Sequence, residues 1–312
     1  MLRQDAIQPA LELPKAEGRA RGRGVLATAR NYLDLTKPRI IVLLLVTTVP
    51  AMVVAQQGMP SLWLIVLTLL GGTLAAAGAN AINCYVDRDI DAMMSRTKER
   101  PLPSGAIEPE RALLFGLALG IASFAILALW VNLASALLAF SALAFYVLVY
   151  TLWLKRSTTQ NIVIGGAAGA IPPLVGWAAV TGGLDWPALV LFGIIALWTP
   201  PHFWALALRY RDDYARAGVP MLPSVHGVRE TQRQILVYSV ALVASTLMLV
   251  PIAGMGVLYL SSALLLGAGF LFYAVRLWRH ATIQTSRALF AYSLLYLALL
   301  FVTAGVDPLL PW

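Results

Sequence analysis

Apolar segments of about 20 residues recur along the whole chain and restrict what it can fold into. Of its 312 residues, 59% are hydrophobic and only 12% are charged. A continuous run of this length crosses a ~30 Å hydrocarbon layer as a helix, whereas barrel strands are shorter and alternate. The sequence therefore predicts an all-α, polytopic membrane protein with nine transmembrane helices, at residues 38–57, 62–84, 110–130, 133–154, 161–181, 186–208, 233–254, 257–275 and 287–306.

The positively charged residues predict how these helices are oriented. With nine spans, all 23 Lys and Arg residues fall on one side of the membrane, and the connections on the other side contain none. Lys and Arg are retained on the cytoplasmic side of membranes. We therefore expect a cytoplasmic N-terminus, an outside C-terminus and a location in the cell inner (plasma) membrane. The net charge of +8 follows from this topology and does not indicate nucleic-acid binding.

The ends of the chain suggest a simple domain organisation. Residues 1–34 precede the first span, and we expect a flexible cytoplasmic segment there, followed by one nine-helix domain at 35–312. The first 27 residues lack an apolar core, which argues against a signal peptide. The single cysteine, Cys84, excludes an internal disulfide.

Asn83, Asp87 and Asp91 repeat at intervals of four residues directly after the second apolar segment. A helix continued through them would place all three on one face. Carboxylates at a membrane edge are unfavourable unless a cation lies between them, and Mg²⁺ combines one or two carboxylates with water and substrate phosphates. The spacing predicts a Mg²⁺ site that also binds a diphosphate; the alternative is a solvated helix end. Asp89, out of phase, should pair with a local Arg.

Cations close to these acids are candidates for binding the diphosphate. Arg96, Lys98 and Arg100 follow in the same loop, and Lys155 and Arg156 connect the fourth and fifth segments. Such groups bind phosphate oxygens and stabilise the charge that grows on a leaving diphosphate. The alternative is that they only anchor the helix ends on the positive side.

A second acidic pair, Asp212 and Asp213, lies in the loop at about 209–232. Adjacent residues do not share one face of a helix. We expect one of them to bind a second metal ion and the other to pair with Arg211 or Arg216. Both acidic loops follow even-numbered spans, so they should emerge on the same face.

His202 lies inside the sixth apolar segment, next to Pro200 and Pro201. An ionisable residue within a membrane span is a candidate functional residue. A hydrogen-bonded packing role is the alternative. The other two histidines, His226 and His280, lie in connections and are expected to be ordinary loop residues.

Two acidic clusters, nearby cations and a long apolar interior together indicate a diphosphate with a hydrocarbon tail. Ionisation of such an allylic diphosphate gives a carbocation, which an electron-rich acceptor captures. An ion-coupled transporter is the competing class, but it would place its acids near the bilayer midplane. A phospholipid head-group transferase would need a glycine-rich aspartate motif, which is absent from the sequence.

The segments that carry these residues resemble the UbiA-type intramembrane prenyltransferases, a nine-helix family, and in particular its haem-farnesylating branch. The similar segments are residues 80–91, 96–102, 150–162, 200–204 and 213–221. The resemblance implies farnesyl diphosphate as donor, a vinyl group of haem B as acceptor and haem O as product, for haem-copper oxidase assembly. The partners it implies besides these substrates are membrane lipid and haem A synthase. An aromatic acceptor such as 4-hydroxybenzoate is the nearest alternative.

The resemblance also implies roles for individual residues. Asp87, Asp91, Lys155 and Arg156 would be catalytic, and Mg²⁺ would be held by Asn83, Asp87 and Asp91, with Asp213 or Asp212 at a second metal. The substrate-binding residues would be Asn80, Lys98, Arg100, Asn161, His202 and Tyr214. Many relatives have a second Asp-x3-Asp motif, whereas this chain has Tyr210 and Tyr214 at those positions, which puts the second metal in doubt.

Overall fold

The computed structural model describes residues 24–311, and this part of the chain is helical without any strand. Within it, nine helices are long and apolar enough to cross a membrane, which confirms the predicted fold class. These spans are Pro38–Gln56, Leu62–Val86, Pro109–Trp130, Leu133–Ser157, Asn161–Thr181, Trp186–Arg209, Gly227–Ala253, Val257–Arg279 and Ile283–Leu309. The orientation of the two ends stays a prediction.

The seventh span differs most from its predicted bounds, since it begins at Gly227 and not at residue 233. Its first two turns are polar and include Glu230 and Arg233, which pair at 2.8 Å. An i, i+3 pair of this kind supports a helix without any apolar character. Hydropathy therefore located the apolar part of this helix and missed its polar start.

Short helices lie outside the spans, at Val25–Thr36, Arg88–Met93, Arg211–Arg216 and Leu222–Val225. The first of them runs through the predicted domain boundary between residues 34 and 35. Residues 1–23 lie outside the described residues, so the flexible segment, the lack of a signal peptide and the division into domains stay predictions.

The nine spans form a closed ring. Each one contacts the next along the chain, and the ninth returns to contact the first. Further contacts, of which first with fifth and sixth with ninth are the most extensive, join non-sequential spans across the ring. This order places the loops after the second, fourth and sixth spans at the same end of the bundle.

Small residues allow the second and third spans to approach closely. A Cβ atom added to Gly78 would lie 2.7 Å from the backbone oxygen of Gly116, and one added to Gly71 would lie 2.4 Å from the side chain of Leu127. Glycine at such positions lets two membrane helices pack backbone to backbone. This contact fixes the second span, whose end carries Asn83.

Several spans are irregular. The fifth is interrupted at Ile171, before Pro172, and the sixth contains Pro200 and Pro201. The fourth is π-helical over Phe145–Leu154, which the sequence analysis missed. π-Helical turns widen a helix and often occur at functional sites. This one brings Thr151 towards the end of the second span.

Candidate active site

The three residues of the first motif follow one continuous helical path. The amide of Asp87 donates to the oxygen of Asn83 at 2.9 Å, and the amide of Asp91 donates to the oxygen of Asp87 at 2.8 Å. All three side chains are buried, each at most 3% exposed. The spacing of four residues thus gathers two carboxylates and an amide at the end of the second span, as the sequence predicted.

Asp87 is held by cations from the fourth span. Its Oδ2 forms an ion pair with Lys155, and its Oδ1 lies 3.7 Å from a guanidinium nitrogen of Arg156. Oδ1 is enclosed and has no hydrogen-bond donor among the described residues. A buried carboxylate normally has all its lone pairs satisfied. This oxygen is therefore available to a ligand or to a further cation.

Asn83 is oriented by three hydrogen bonds. Its Nδ2 donates to Asp87 at 2.6 Å and to the hydroxyl of Thr151 at 3.1 Å. Its Oδ1 accepts from the ammonium group of Lys37 at 2.7 Å. Because Lys37 only donates and Asp87 only accepts, these partners fix the orientation of the amide. Metal binding through Oδ1 stays a prediction: the oxygen has a second lone pair, but a metal ion there would lie beside the ammonium group of Lys37.

Lys37 lies between the first short helix and the first span, with a left-handed backbone (φ 53°). Burial lowers its pKa, and the neighbouring cations Arg100 and Lys155 lower it further, while Asp91 opposes them. The sequence analysis counted Lys37 only among the topology-setting cations. Its position before Pro38 gave no sign that it turns back into the bundle.

Asp91 pairs with Arg100, nine residues further along the same loop, at 2.8 Å. The hydroxyl of Thr97 donates to the backbone oxygen of Asp91 at 2.9 Å and closes this part of the loop. Burial disfavours the charge of Arg100, but Asp91 outweighs burial and the pKa of Arg100 is raised. The predicted cation of the loop therefore lies directly against the motif.

Asp89 points away from the motif, as expected, and its partner is Arg156. Two guanidinium nitrogens of Arg156 each donate to one carboxylate oxygen at 2.8 Å. These hydrogen bonds lower the pKa of Asp89 to about 2. The expectation of a local Arg is wrong, because this Arg comes from the fourth span, 67 residues away. Arg156 thus links Asp89 to the outer side of Asp87.

The two acidic residues of the second loop differ in position. Asp213 is buried and accepts hydrogen bonds from Ser95 and Arg216. Asp212 is exposed, 3.3 Å from Arg211. Of the two residues predicted at a second metal, only Asp213 faces the first loop. Ser95, which the sequence analysis did not select, joins the two loops directly.

Arg96 makes a second connection between the loops. Its guanidinium carbon lies 5.6 Å from the ring centre of Tyr210. Burial raises the pKa of the Tyr214 hydroxyl, and the positive charge of Arg96 opposes this shift. A cation of the first loop thus lies near two tyrosines of the second loop.

The remaining predicted binding residues occupy different environments. Asn80 is buried and donates to the backbone oxygen of Thr36 at 2.9 Å. Asn161 is buried and donates to the oxygen of Pro220 at 3.3 Å, while its own Oδ1 has no hydrogen-bond partner in the described chain. Lys98 is exposed. Substrate contacts by these three residues stay predictions.

His202 does not belong to the charged cluster. Its ring lies one to two helical turns before the second loop, between the rings of Trp198 and Phe290. Its Nδ1 lies 2.6 Å from the hydroxyl of Ser293 in the ninth span. It therefore lines the apolar part of the bundle next to the loops.

The donor set fits one divalent cation better than two. No group of three or more His, Cys, Asp or Glu side chains comes together anywhere in residues 24–311. The enclosed, unbonded Oδ1 of Asp87 and the buried carboxylate of Asp91 provide hard oxygen ligands, and a bound diphosphate would have to complete the shell. Both oxygens of Asp213 already have donors. A metal there would share these oxygens with Ser95 and Arg216.

Known proteins match this chain along most of its length. The profile of the UbiA prenyltransferase family matches residues 44–302. A protein named protoheme IX farnesyltransferase from Gloeobacter violaceus is 58% identical over 282 residues, covering 90% of this chain and 92% of the relative. Protoheme IX farnesyltransferase 1 from Saccharopolyspora erythraea is 58% identical over 290 residues, covering 91% of each.

Solved structures share the fold at low sequence identity. A digeranylgeranylglyceryl phosphate synthase structure has a TM-score of 0.74 at 18% identity, covering 90% of this chain and 98% of that one. A UbiA homolog from Archaeoglobus fulgidus bound to GPP and Mg²⁺ has a TM-score of 0.61 at 18% identity, covering 88% of this chain and 100% of the other. The nine-span ring is thus shared with these structures.

Proposed function

Since this chain belongs to the UbiA prenyltransferase family, we propose that it transfers a farnesyl group from farnesyl diphosphate to a vinyl group of haem B, giving haem O. It is a multi-pass membrane prenyltransferase. The relatives named protoheme IX farnesyltransferase, 58% identical over nine-tenths of the chain, support the haem acceptor. The buried carboxylates surrounded by four cations at the end of an apolar bundle are the observation that carries the proposal.

The charged cluster is suited to a diphosphate. Asp87 and Asp91 are each paired with a cation, and the groups around them are Lys37, Arg100, Lys155 and Arg156. This excess of positive charge would receive the phosphate oxygens, as forked guanidinium and mobile ammonium groups do. Lys98, Asn80 and Asn161 are proposed as further substrate contacts at the rim.

In the proposed reaction, the cations stabilise the leaving diphosphate and the apolar helices surround the prenyl cation. The bond between C1 of the farnesyl chain and the diphosphate breaks, and its electron pair leaves on the diphosphate, where the cations stabilise it. The π electrons of the vinyl group then form a carbon–carbon bond to C1. Water adds to the new cation and loses a proton, which leaves the hydroxyethylfarnesyl group. Until capture, the apolar helices exclude water from the prenyl cation.

We propose that Mg²⁺ assists this reaction. A UbiA homolog from Archaeoglobus fulgidus binds GPP with Mg²⁺, and another structure of it contains Cd²⁺. When bound, Mg²⁺ would neutralise the diphosphate and improve it as a leaving group. Asp87, Asp91 and Asn83 are the proposed ligands, with Lys37 next to the oxygen of Asn83. At the second loop Asp213 is the better candidate than Asp212.

We further propose the cellular setting. With every Lys and Arg on one side, the site would face the cytoplasm and the protein would lie in the cell inner membrane. Both substrates carry large apolar parts, so membrane lipid is their expected medium. Haem A synthase is the proposed recipient of haem O.

The experiment that tests the proposal supplies purified protein with haem B, farnesyl diphosphate and Mg²⁺, and detects haem O by mass spectrometry. We expect product from the native chain and a loss of more than about a hundredfold from Asp87→Ala, since one preorganised charged group contributes on that order. Glu108→Gln is the matched control, because Glu108 is exposed and pairs only with Arg111 in the described chain. Turnover of 4-hydroxybenzoate in place of haem B would overturn the acceptor.

A further inference from the structure

The ring of His202 is fixed between two other aromatic rings. Its centre lies 4.1 Å from that of Trp198 at 17°, and 4.7 Å from that of Phe290 at 24°. Trp198 is itself held, because its indole N–H donates to the backbone oxygen of Ser293 at 2.8 Å. Both faces of the imidazole are therefore covered, and only the ring edge, which carries the two nitrogens, can bind anything.

The hydrogen bonds at one end of this edge determine which nitrogen carries the proton. Nδ1 of His202 lies 2.6 Å from the hydroxyl oxygen of Ser293. That hydroxyl donates to the backbone oxygen of Phe290 at 2.7 Å. A serine hydroxyl has one proton, so when it donates to the Phe290 carbonyl it accepts from the imidazole, and Nδ1 is then the donor. In the neutral ring, Nε2 consequently has a lone pair.

This lone pair is free within the described part of the chain. Nε2 of His202 forms no hydrogen bond with any of residues 24–311. It is also absent from the fully enclosed polar atoms that lack a partner, so part of its surface is accessible. A nitrogen that is held this rigidly and left open inside an apolar bundle is arranged for a ligand.

The position of His202 relates this nitrogen to the charged cluster. The sixth span continues for seven residues from His202 to its end at Arg209, which is ~10 Å along a helix. The second loop, with Asp213, begins directly afterwards. His202 therefore lies about two helical turns from the second loop, a separation that a large planar molecule bound at Nε2 would bridge towards the diphosphate site.

We infer that Nε2 of His202 is an axial ligand of the haem iron while haem B is bound as the acceptor. The inference rests on the proposed function, because that function supplies the haem. Neutral imidazole is a common haem ligand, and its other nitrogen usually donates to an oxygen, as Nδ1 does here to Ser293. Coordination would fix the porphyrin ring and thus the vinyl group that receives the farnesyl chain.

Binding of a haem propionate by His202 fits the structure less well. A propionate needs a donor, and the Nδ1-protonated ring presents none at Nε2. The other two histidines of the sequence, His226 and His280, are exposed in the connections. His202 is thus the histidine that the fold places next to the apolar interior.

The test is resonance Raman spectroscopy of the full-length protein with ferrous haem B, without farnesyl diphosphate. We expect an iron–histidine stretching band from the native chain and its loss in His202→Ala, with exogenous imidazole restoring it. His226→Ala is the matched control and should retain the band. Ser293→Ala should keep the band and shift it, because Nδ1 loses its acceptor. If His202→Ala does not fold, His202→Gln gives the same reading.

The outcomes separate this inference from the proposed function. A native chain that does not bind haem B saturably would contradict the proposed acceptor. A chain that binds haem B without an iron–histidine band, or a band that persists in His202→Ala, would overturn only the assignment of the axial ligand. In either of those last two cases, haem O formation would still be observed.

Discussion

At the scale of single residues, the site is organised by ion pairs between its buried carboxylates and the surrounding cations. Asp87 and Asp91 are almost fully buried, and each has a basic partner within the bundle. A buried carboxylate without such a partner would be neutralised or strongly destabilising. Each acid therefore lies next to a cation that compensates its charge inside the protein.

Arg156 is shared between Asp89 and Asp87, so we predict that Asp89→Asn releases it towards the substrate. The KM for farnesyl diphosphate should fall about two- to fivefold with little change in kcat, which corresponds to the ~0.5–1 kcal/mol of a partly exposed ion pair. Steady-state kinetics measure this. An unchanged or higher KM would show that Arg156 does not bind the diphosphate.

The pKa of Asp89 predicts that the effect of Asp89→Asn on the KM is independent of pH in ordinary assays. Arg156 lowers it from 3.8 to about 2. Because the folded pKa is depressed, the ion pair stabilises the fold fully above the unfolded value and is lost only as the pH falls through about 2. The ratio of the KM for farnesyl diphosphate of the native chain to that of Asp89→Asn should be constant between about pH 5 and 8. A ratio that changes within this range would contradict the pairing.

Lys37 is predicted to position Asn83. Lys37→Met leaves the buried oxygen of Asn83 without a donor, which costs about 1–3 kcal/mol. We expect a lower Tm and a higher KM for farnesyl diphosphate. The exposed Arg39, two residues later, provides the control Arg39→Met, whose Tm and KM should be unchanged. Equal effects in the two variants would indicate only a loss of positive charge.

At the scale of helices, the contact between the second and third spans holds the motif in place. We predict that Gly78→Ala lowers the free energy of unfolding by about 1–3 kcal/mol, because the new methyl group would lie 2.7 Å from the backbone of Gly116. Gly72→Ala, in the same span but with open space around it, should be neutral. Thermal unfolding in detergent measures both, and equal Tm values would contradict the close approach.

The hydrogen bond between Ser95 and Asp213 is predicted to hold the two loops together. Ser95→Ala removes it and leaves Asp213 with only Arg216 as a partner. Amide hydrogen exchange in the helix Arg211–Arg216 should become faster, because local opening then breaks fewer contacts. Ser104→Ala is the control, since Ser104 bonds only within its own loop. Unchanged exchange in Ser95→Ala would show that the loops do not depend on each other.

At the scale of the whole molecule, the predicted topology can be tested by cysteine labelling. Ser104→Cys lies in the first loop and Gly183→Cys in the connection between the fifth and sixth spans, and both positions are exposed. The native Cys84 is buried and should not react. In intact cells, a membrane-impermeant reagent should label only Gly183→Cys. Labelling of Ser104→Cys in place of Gly183→Cys would reverse the orientation.

The sequence alone determined the class of fold and the principal acids. The nine spans were predictable from continuous apolar runs, because in lipid each span must form its own backbone hydrogen bonds. The shared face of Asn83, Asp87 and Asp91 was predictable because residues four apart lie on one side of a helix. Arg100, close in sequence to Asp91, was also predictable. These features are local, because each depends only on residues that are close together in the sequence.

Only the tertiary structure decided which distant groups meet. Lys37, Ser95 and Thr151 reach the site from separate elements, and Arg156 turned out to pair with Asp89. The hydrogen bond of His202 likewise comes from Ser293 in the ninth span, 91 residues away. Hydropathy and spacing do not encode such contacts, because they arise when the ring of helices closes and brings polar groups together in a medium without water.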